Sequence, residues 1–93
     1  MARRRAGWRF RLAAVAGKLE FLARKEGEKA GSVAEAMANE LRKIIWTRHR
    51  LPKKHLRNLA RIIDSGAKSK MVRYPRKWKT IAREIKNIIQ SQT

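Results

Sequence analysis

Leu12-Ala13-Ala14-Val15-Ala16-Gly17-Lys18-Leu19-Glu20-Phe21-Leu22-Ala23 carries the period of an amphipathic helix. Leu12, Val15, Ala16, Leu19, Leu22 and Ala23 recur at i, i+3, i+4 and i+7, which draws one apolar stripe down a helix. The helix is expected to run from about residue 10 into the Glu26–Lys29 region, with Gly27 and Gly31 weakening and ending it. A glycine inside a helix costs about 1 kcal/mol relative to alanine.

Beyond this helix, Ser32-Val33-Ala34-Glu35 has the form of a capping box, so a second helix is expected to start there. Its inward positions are Ala34, Met37, Ala38, Leu41, Ile44 and Ile45. It should end near His49 or Arg50, because Pro52 disfavours helical geometry at Leu51. Pro52 suits the first position of a third helix, where its missing N–H costs nothing. That helix shows Leu56, Leu59, Ala60 and Ile63 on one face, and Asp64-Ser65-Gly66 is expected to stop it, with a left-handed Gly66 past its end. Residues 65–74 lack helical period, and Met71, Val72 and Tyr74 are the candidates for a short extended segment. Pro75 opens a last helix with Trp78, Ile81, Ala82, Ile85, Ile88 and Ile89 inward, followed by a polar tail expected to fray. The fold expected is all-α: a small bundle of three to four helices, with a basic N-terminal arm at 1–11, one helical domain at 12–93 and a basic loop at about 65–75.

The 93 residues suffice for one small domain, and a chain of this size buries a modest share of its surface. Lys and Arg number 25 against 7 Asp and Glu, a formal charge of +18. Self-repulsion on that scale opposes compaction, and a polyanion relieves it. There is no cysteine, which excludes disulfides and thiolate zinc sites. No apolar run approaches the ~18 residues of a membrane span. The N-terminus lacks the apolar segment and cleavage site of a signal peptide, so the location expected is cytoplasmic.

The charge is unevenly placed. Residues 1–11 carry five arginines and no acid, residues 12–40 are nearly balanced, and residues 41–83 carry fifteen Lys/Arg against Asp64 alone. The balanced segment is suited to protein or neutral surfaces and the second half to phosphates. Arg48-His49-Arg50-Leu51-Pro52-Lys53-Lys54-His55-Leu56-Arg57 is the densest part, with Arg61 one turn beyond Arg57. Lys68, Lys70, Arg73, Arg76 and Lys77, continued by Lys79 and Arg83, form a second cluster, and Arg3, Arg4 and Arg5 an arm. Arginine forks and the free N–H groups of a helix start can converge on neighbouring phosphates at the Pro52 turn.

Catalysis has little to work with. His49 and His55 have no carboxylate near them in sequence, and Glu20–Arg24 and Glu26–Lys29 read as solvated helix pairs. No glycine-rich phosphate loop is present, and no cofactor or metal is expected. Among the aromatics, Trp78 is assigned to the core. Trp46 lies beside its helix stripe and is assigned to packing or docking, with base stacking as the other option. Trp8 and Tyr74 sit among basic residues, where stacking on RNA is an option.

Leu19-Glu20-Phe21-Leu22-Ala23-Arg24-Lys25-Glu26, Val33-Ala34, Glu40-Leu41-Arg42-Lys43-Ile44 and the 48–57 stretch together resemble the N-terminal helical half of the zinc-ribbon protein subunit of archaeal ribonuclease P. The resemblance covers about residues 12–57, and Leu51-Pro52 with its basic flanks is its most specific part. It implies a non-catalytic subunit in tRNA 5′ maturation, with the helices of residues 12–48 docking a partner protein subunit and the basic face meeting the RNA. The family's cysteine pairs would follow Arg57, where Asn58-Leu59-Ala60-Arg61 stands instead, so no zinc site comes with it. A small, cysteine-free, very basic chain of this composition also suits a ribosomal protein on rRNA, the class in which such chains are most abundant, with a DNA-binding chromatin protein as the further alternative. A membrane-surface role fits less well, because the basic residues are spread over several helices.

Overall fold

The computed structural model describes residues 7–91, and these form four α-helices with no strand among them. They are α1 Trp8–Lys25, α2 Glu28–Thr47, α3 Lys53–Ala67 and α4 Pro75–Ser91. The arm residues Arg3, Arg4 and Arg5 lie outside the described residues. α1 packs along α2 and α3 along α4, giving two helical hairpins. α1 and α4 then join the hairpins, whereas α2 and α3 touch little.

Each apolar stripe becomes a buried face. Leu12, Val15, Ala16, Leu19 and Leu22 of α1 are buried, as are Leu56, Leu59, Ala60 and Ile63 of α3. All six expected inward residues of α4 are buried, Trp78 among them at 1% exposure. α2 lays a row of small residues, Ala30, Gly31, Ala34 and Ala38, against the bundle, with Leu41 and Ile44 filling its far end. Fully burying a Leu, Ile or Val side chain stabilises by about 1.5–3 kcal/mol, so these faces supply the force that holds the +18 chain together.

Several boundaries differ from the sequence expectation, each for a physical reason. α1 ends at Lys25, and the link to α2 is only Glu26 and Gly27, both extended. α2 therefore begins at Glu28, and the Ser32–Glu35 capping box is not used. Ser32 sits one turn inside the helix and its hydroxyl donates back to the Glu28 carbonyl at 2.9 Å. Gly31 does not end a helix; it lets α2 pass close to the last turn of α1, where an added Cβ would stand 2.7 Å from the Ala23 carbonyl oxygen.

Pro52 is the residue before α3 and not its first, its carbonyl accepting from the Leu56 N–H at 2.9 Å. α3 runs through Asp64-Ser65-Gly66 to Ala67, and no glycine among the described residues has positive φ. Gly66 is instead the floor for the Trp78 ring: a Cβ there would lie 2.9 Å from its Cζ3. Residues 68–74 form turns and bends, so Met71, Val72 and Tyr74 make no extended segment with a partner. α4 continues to Ser91, whose hydroxyl accepts from the Arg11 guanidinium, so the helix reaches into the tail expected to fray.

Glu26 is the buried acid that closes this link. At 8% exposure it accepts from the backbone N–H groups of Arg73 (2.7 Å) and Tyr74 (3.0 Å) and from the Trp78 indole N–H (2.9 Å). It is not a solvated partner of Lys29. Burial pushes its carboxyl pKa up, but the three donations and the Arg73 charge outweigh that and hold it below the ordinary value. One carboxylate thus ties the end of α1 to the α3–α4 loop and to the start of α4.

Candidate nucleic-acid interface

The turn between α2 and α3 is fixed from beneath. Arg9 on α1 donates to the carbonyls of Ile45 (3.3 Å), Arg48 (2.6 Å) and His49 (3.4 Å), one in the last turn of α2, where carbonyls lack helical partners, and two just past its end. Arg48, His49 and Arg50 project from that turn and are exposed. Lys53 is half-buried in the first turn of α3, and Lys54 and Arg57 are exposed. His55 turns the other way: its Nε2 lies 3.2 Å from Glu40 Oε2, a link between α2 and α3 that chain distance concealed.

The α3–α4 hairpin carries the rest. At 3.6 residues per turn, Lys54, Arg57, Arg61 and Lys68 fall within about 60° around the α3 axis and span about 21 Å along it. All four are exposed. On α4, Arg76, Lys79, Arg83 and Lys86 recur at i, i+3, i+7 and i+10, and all are exposed. The two rows meet at a hollow of about 410 Å³ lined by Arg57, Arg61, Asp64, Lys86, Ile89 and Gln90. The 48–57 cluster and the 68–77 cluster sit at opposite ends of α3. They are therefore not one patch, and the α3 row runs between them. Lys70, Arg73 and Lys77 stay on the loop and the first turn of α4, all exposed. Lys86 was not among the residues the sequence singled out, because the last ten residues are neutral on balance; its spacing from Arg76, Lys79 and Arg83 carried the signal.

The partners of these charges divide the surface. Arg48, Arg50, Lys53, Lys54, Arg57, Arg61, Lys68, Arg76 and Lys77 form no ion pair with an acid among the described residues. The ion pairs that do form involve the first hairpin. Arg42 grips Glu20 with two bonds of 2.7 and 2.8 Å, and Lys18 meets Glu84 of α4 at 2.5 Å. Glu20 thus pairs with a residue of α2 rather than only with Arg24 on its own helix, and the Arg42 bonds hold its carboxyl below the ordinary value. From residue 53 onward there are twelve Lys/Arg against Asp64 and Glu84, and Glu84 is committed to Lys18. A one-signed surface without internal partners raises the local concentration of anions and binds phosphates by releasing their counterions.

The aromatics separate as well. Trp78 is core, Trp8 is half-buried with the Arg9 guanidinium 4.4 Å from its ring centre, and Trp46 is 84% exposed. That exposure removes packing as a role for Trp46. No helix among the described residues is long and apolar enough to cross a membrane, and no three His, Cys, Asp or Glu side chains gather there as metal ligands would. Comparisons with family models, with curated proteins and with solved structures found no match to this chain.

Proposed function

We propose that this chain is a non-catalytic RNA-binding protein that stabilises a structured RNA within a ribonucleoprotein. The observation that supports this best is the unpaired basic surface running from Arg48 along α3 to Lys68 and across to α4. Phosphate contacts of this kind fix register and orientation without reading sequence, which suits a protein that braces folded RNA. Arg48, Arg50, Lys53, Lys54 and Arg57 form the main contact, and Arg3, Arg4 and Arg5 add further phosphate contacts. The resemblance over residues 12–57 gives the specific form: a protein subunit of archaeal-type ribonuclease P, acting in the cytoplasm.

The first hairpin faces protein in this proposal. Its acids are paired or balanced, and α1 exposes Phe10 and Phe21, each beside an open hollow that α1 shares with α4. Native affinity purification followed by sequencing of the bound nucleic acid tests the assignment. Enrichment of a ribonuclease P RNA supports the specific form, enrichment of rRNA replaces it with a ribosomal role, and recovery of DNA alone overturns the RNA reading.

A further inference from the structure

Trp46 is the most exposed of the large apolar side chains among the described residues. The core does not need it, because Leu41 and Ile44 of the same helix are buried in its place. Its ring also differs from the other aromatics near cations. Trp8 has Arg9 over its face and Phe21 has Lys25 at 4.9 Å, whereas no cation among the described residues covers Trp46. The indole stands beside a hollow of about 470 Å³ lined by Arg9, Ile45, Thr47, Arg48 and His49. The hollow is firm, since the three Arg9 bonds fix the carbonyls on both sides of Trp46.

We infer that Trp46 is a stacking platform for an unpaired nucleobase, so that the preferred RNA carries a bulged or single-stranded nucleotide next to the helix held by α3. This rests on the RNA-binding reading above and adds what that surface selects. The chemistry of the surroundings decides the occupant. Arg48, Arg50, Lys53 and Lys54 follow Trp46 within eight residues, and no acid stands between Leu41 and Asp64. A second copy of this chain would bring another +18 to the same place. A nucleotide brings a π-face for the indole and a phosphate for the cations beside it. Bases within an RNA duplex are already stacked on their neighbours, so an unpaired base is the one available.

The test compares one RNA hairpin with and without a single bulged purine, bound by the full chain and by Trp46→Ala, Trp46→Phe and Arg50→Ala/Lys53→Ala/Lys54→Ala. Stacking is worth about 1–3 kcal/mol per base on alanine substitution, or roughly 5- to 150-fold in affinity. The wild type should prefer the bulged hairpin. Trp46→Ala should lose that preference by a factor in this range while still binding the plain hairpin, and Trp46→Phe should keep most of it. In a Trp8→Phe background, emission that the bulged RNA quenches should no longer be quenched once Trp46→Phe is added, since the remaining Trp78 is buried. Equal binding of both hairpins by wild type and Trp46→Ala overturns this inference and leaves the RNA reading intact. Binding of neither hairpin by the wild type overturns both. A Trp46→Ala chain that binds both RNAs as the wild type does but releases a co-purified protein assigns Trp46 to protein docking and also overturns the inference. The triple basic variant should lose both hairpins, which separates phosphate contact from stacking.

Discussion

Replacing Glu26 with glutamine should destabilise the protein far more than a single acid in a chain of +18 would suggest. The carboxylate accepts from three donors belonging to the loop and α4, at 2.7, 2.9 and 3.0 Å. Glutamine keeps one acceptor oxygen and points an N–H₂ group at donors, so at least one of the three is left opposed. Hydrogen bonds to a charged group are worth about 1.5–3 kcal/mol each, and a buried donor left unpaired costs about 1–3 kcal/mol. The Arg73 and Tyr74 N–H groups lie on an exposed loop and can regain water, but the Trp78 indole is buried and cannot. The net loss should be about 2–4 kcal/mol. For a domain of this size that is a fall in Tm of roughly 10–30 °C. Thermal melts followed by far-UV circular dichroism and by tryptophan emission in a Trp8→Phe/Trp46→Phe background, which leaves Trp78 as the reporter, measure it. The pH dependence gives a second check. Because the folded carboxyl pKa is depressed, its contribution is present above the ordinary glutamate value and is lost as pH falls through that value toward the folded one. Wild-type stability should therefore fall below about pH 4.5, and Glu26→Gln should lack that part of the fall. A variant that melts within about 2 °C of wild type, or that keeps the same acid loss, would show that the Glu26 carboxylate does not hold the loop and α4 in place.

Other perturbations follow the packing and the surface. Gly66→Ala should cost about 1–3 kcal/mol in chemical denaturation, since its Cβ would press on the buried Trp78 ring, and unchanged stability would show that the ring can move. Gly31→Ala should cost at least as much, because the atom it meets is the Ala23 carbonyl oxygen of the backbone. Arg42→Ala should change stability little despite its two bonds to Glu20, and the difference should shrink in high salt, because both side chains are more than a third exposed.

The helices were legible in the sequence because their signal is local. The i, i+3, i+4 stripe of α4 named all six of its buried residues, and that of α1 named its core to within Ala23, which is half-buried. What depends on contacts distant in the chain was not legible. Glu26 looked like a helix-surface acid because its three donors lie 47–52 residues away. Gly66 looked like a helix stop because its actual purpose, room for an indole on another helix, has no local mark. Ser32 fits a capping box in text, but the two-residue link at Glu26 and Gly27 starts α2 one turn earlier. For the site, the density of charge around Pro52 was plain, and so was the Arg57–Arg61 spacing. The continuity of α3 with α4 through Lys86 was not, since it arises only when the hairpin closes.

Salt dependence of RNA affinity tests the assignment of faces most directly. Each phosphate contact contributes about 0.7–0.9 to the slope of log K against log salt, so wild type, with about six to eight contacts, should lose roughly 10³-fold or more between about 50 and 200 mM salt. Replacing Lys54, Arg57, Arg61 and Lys68 together with alanine should flatten that slope by roughly three units across unrelated RNAs. Reversing Glu28 and Glu35 to lysine, on the first hairpin, should leave affinity unchanged or slightly raised. A slope unaffected by the α3 replacements, with binding abolished by the glutamate reversals, would place the RNA on the other hairpin and contradict the account.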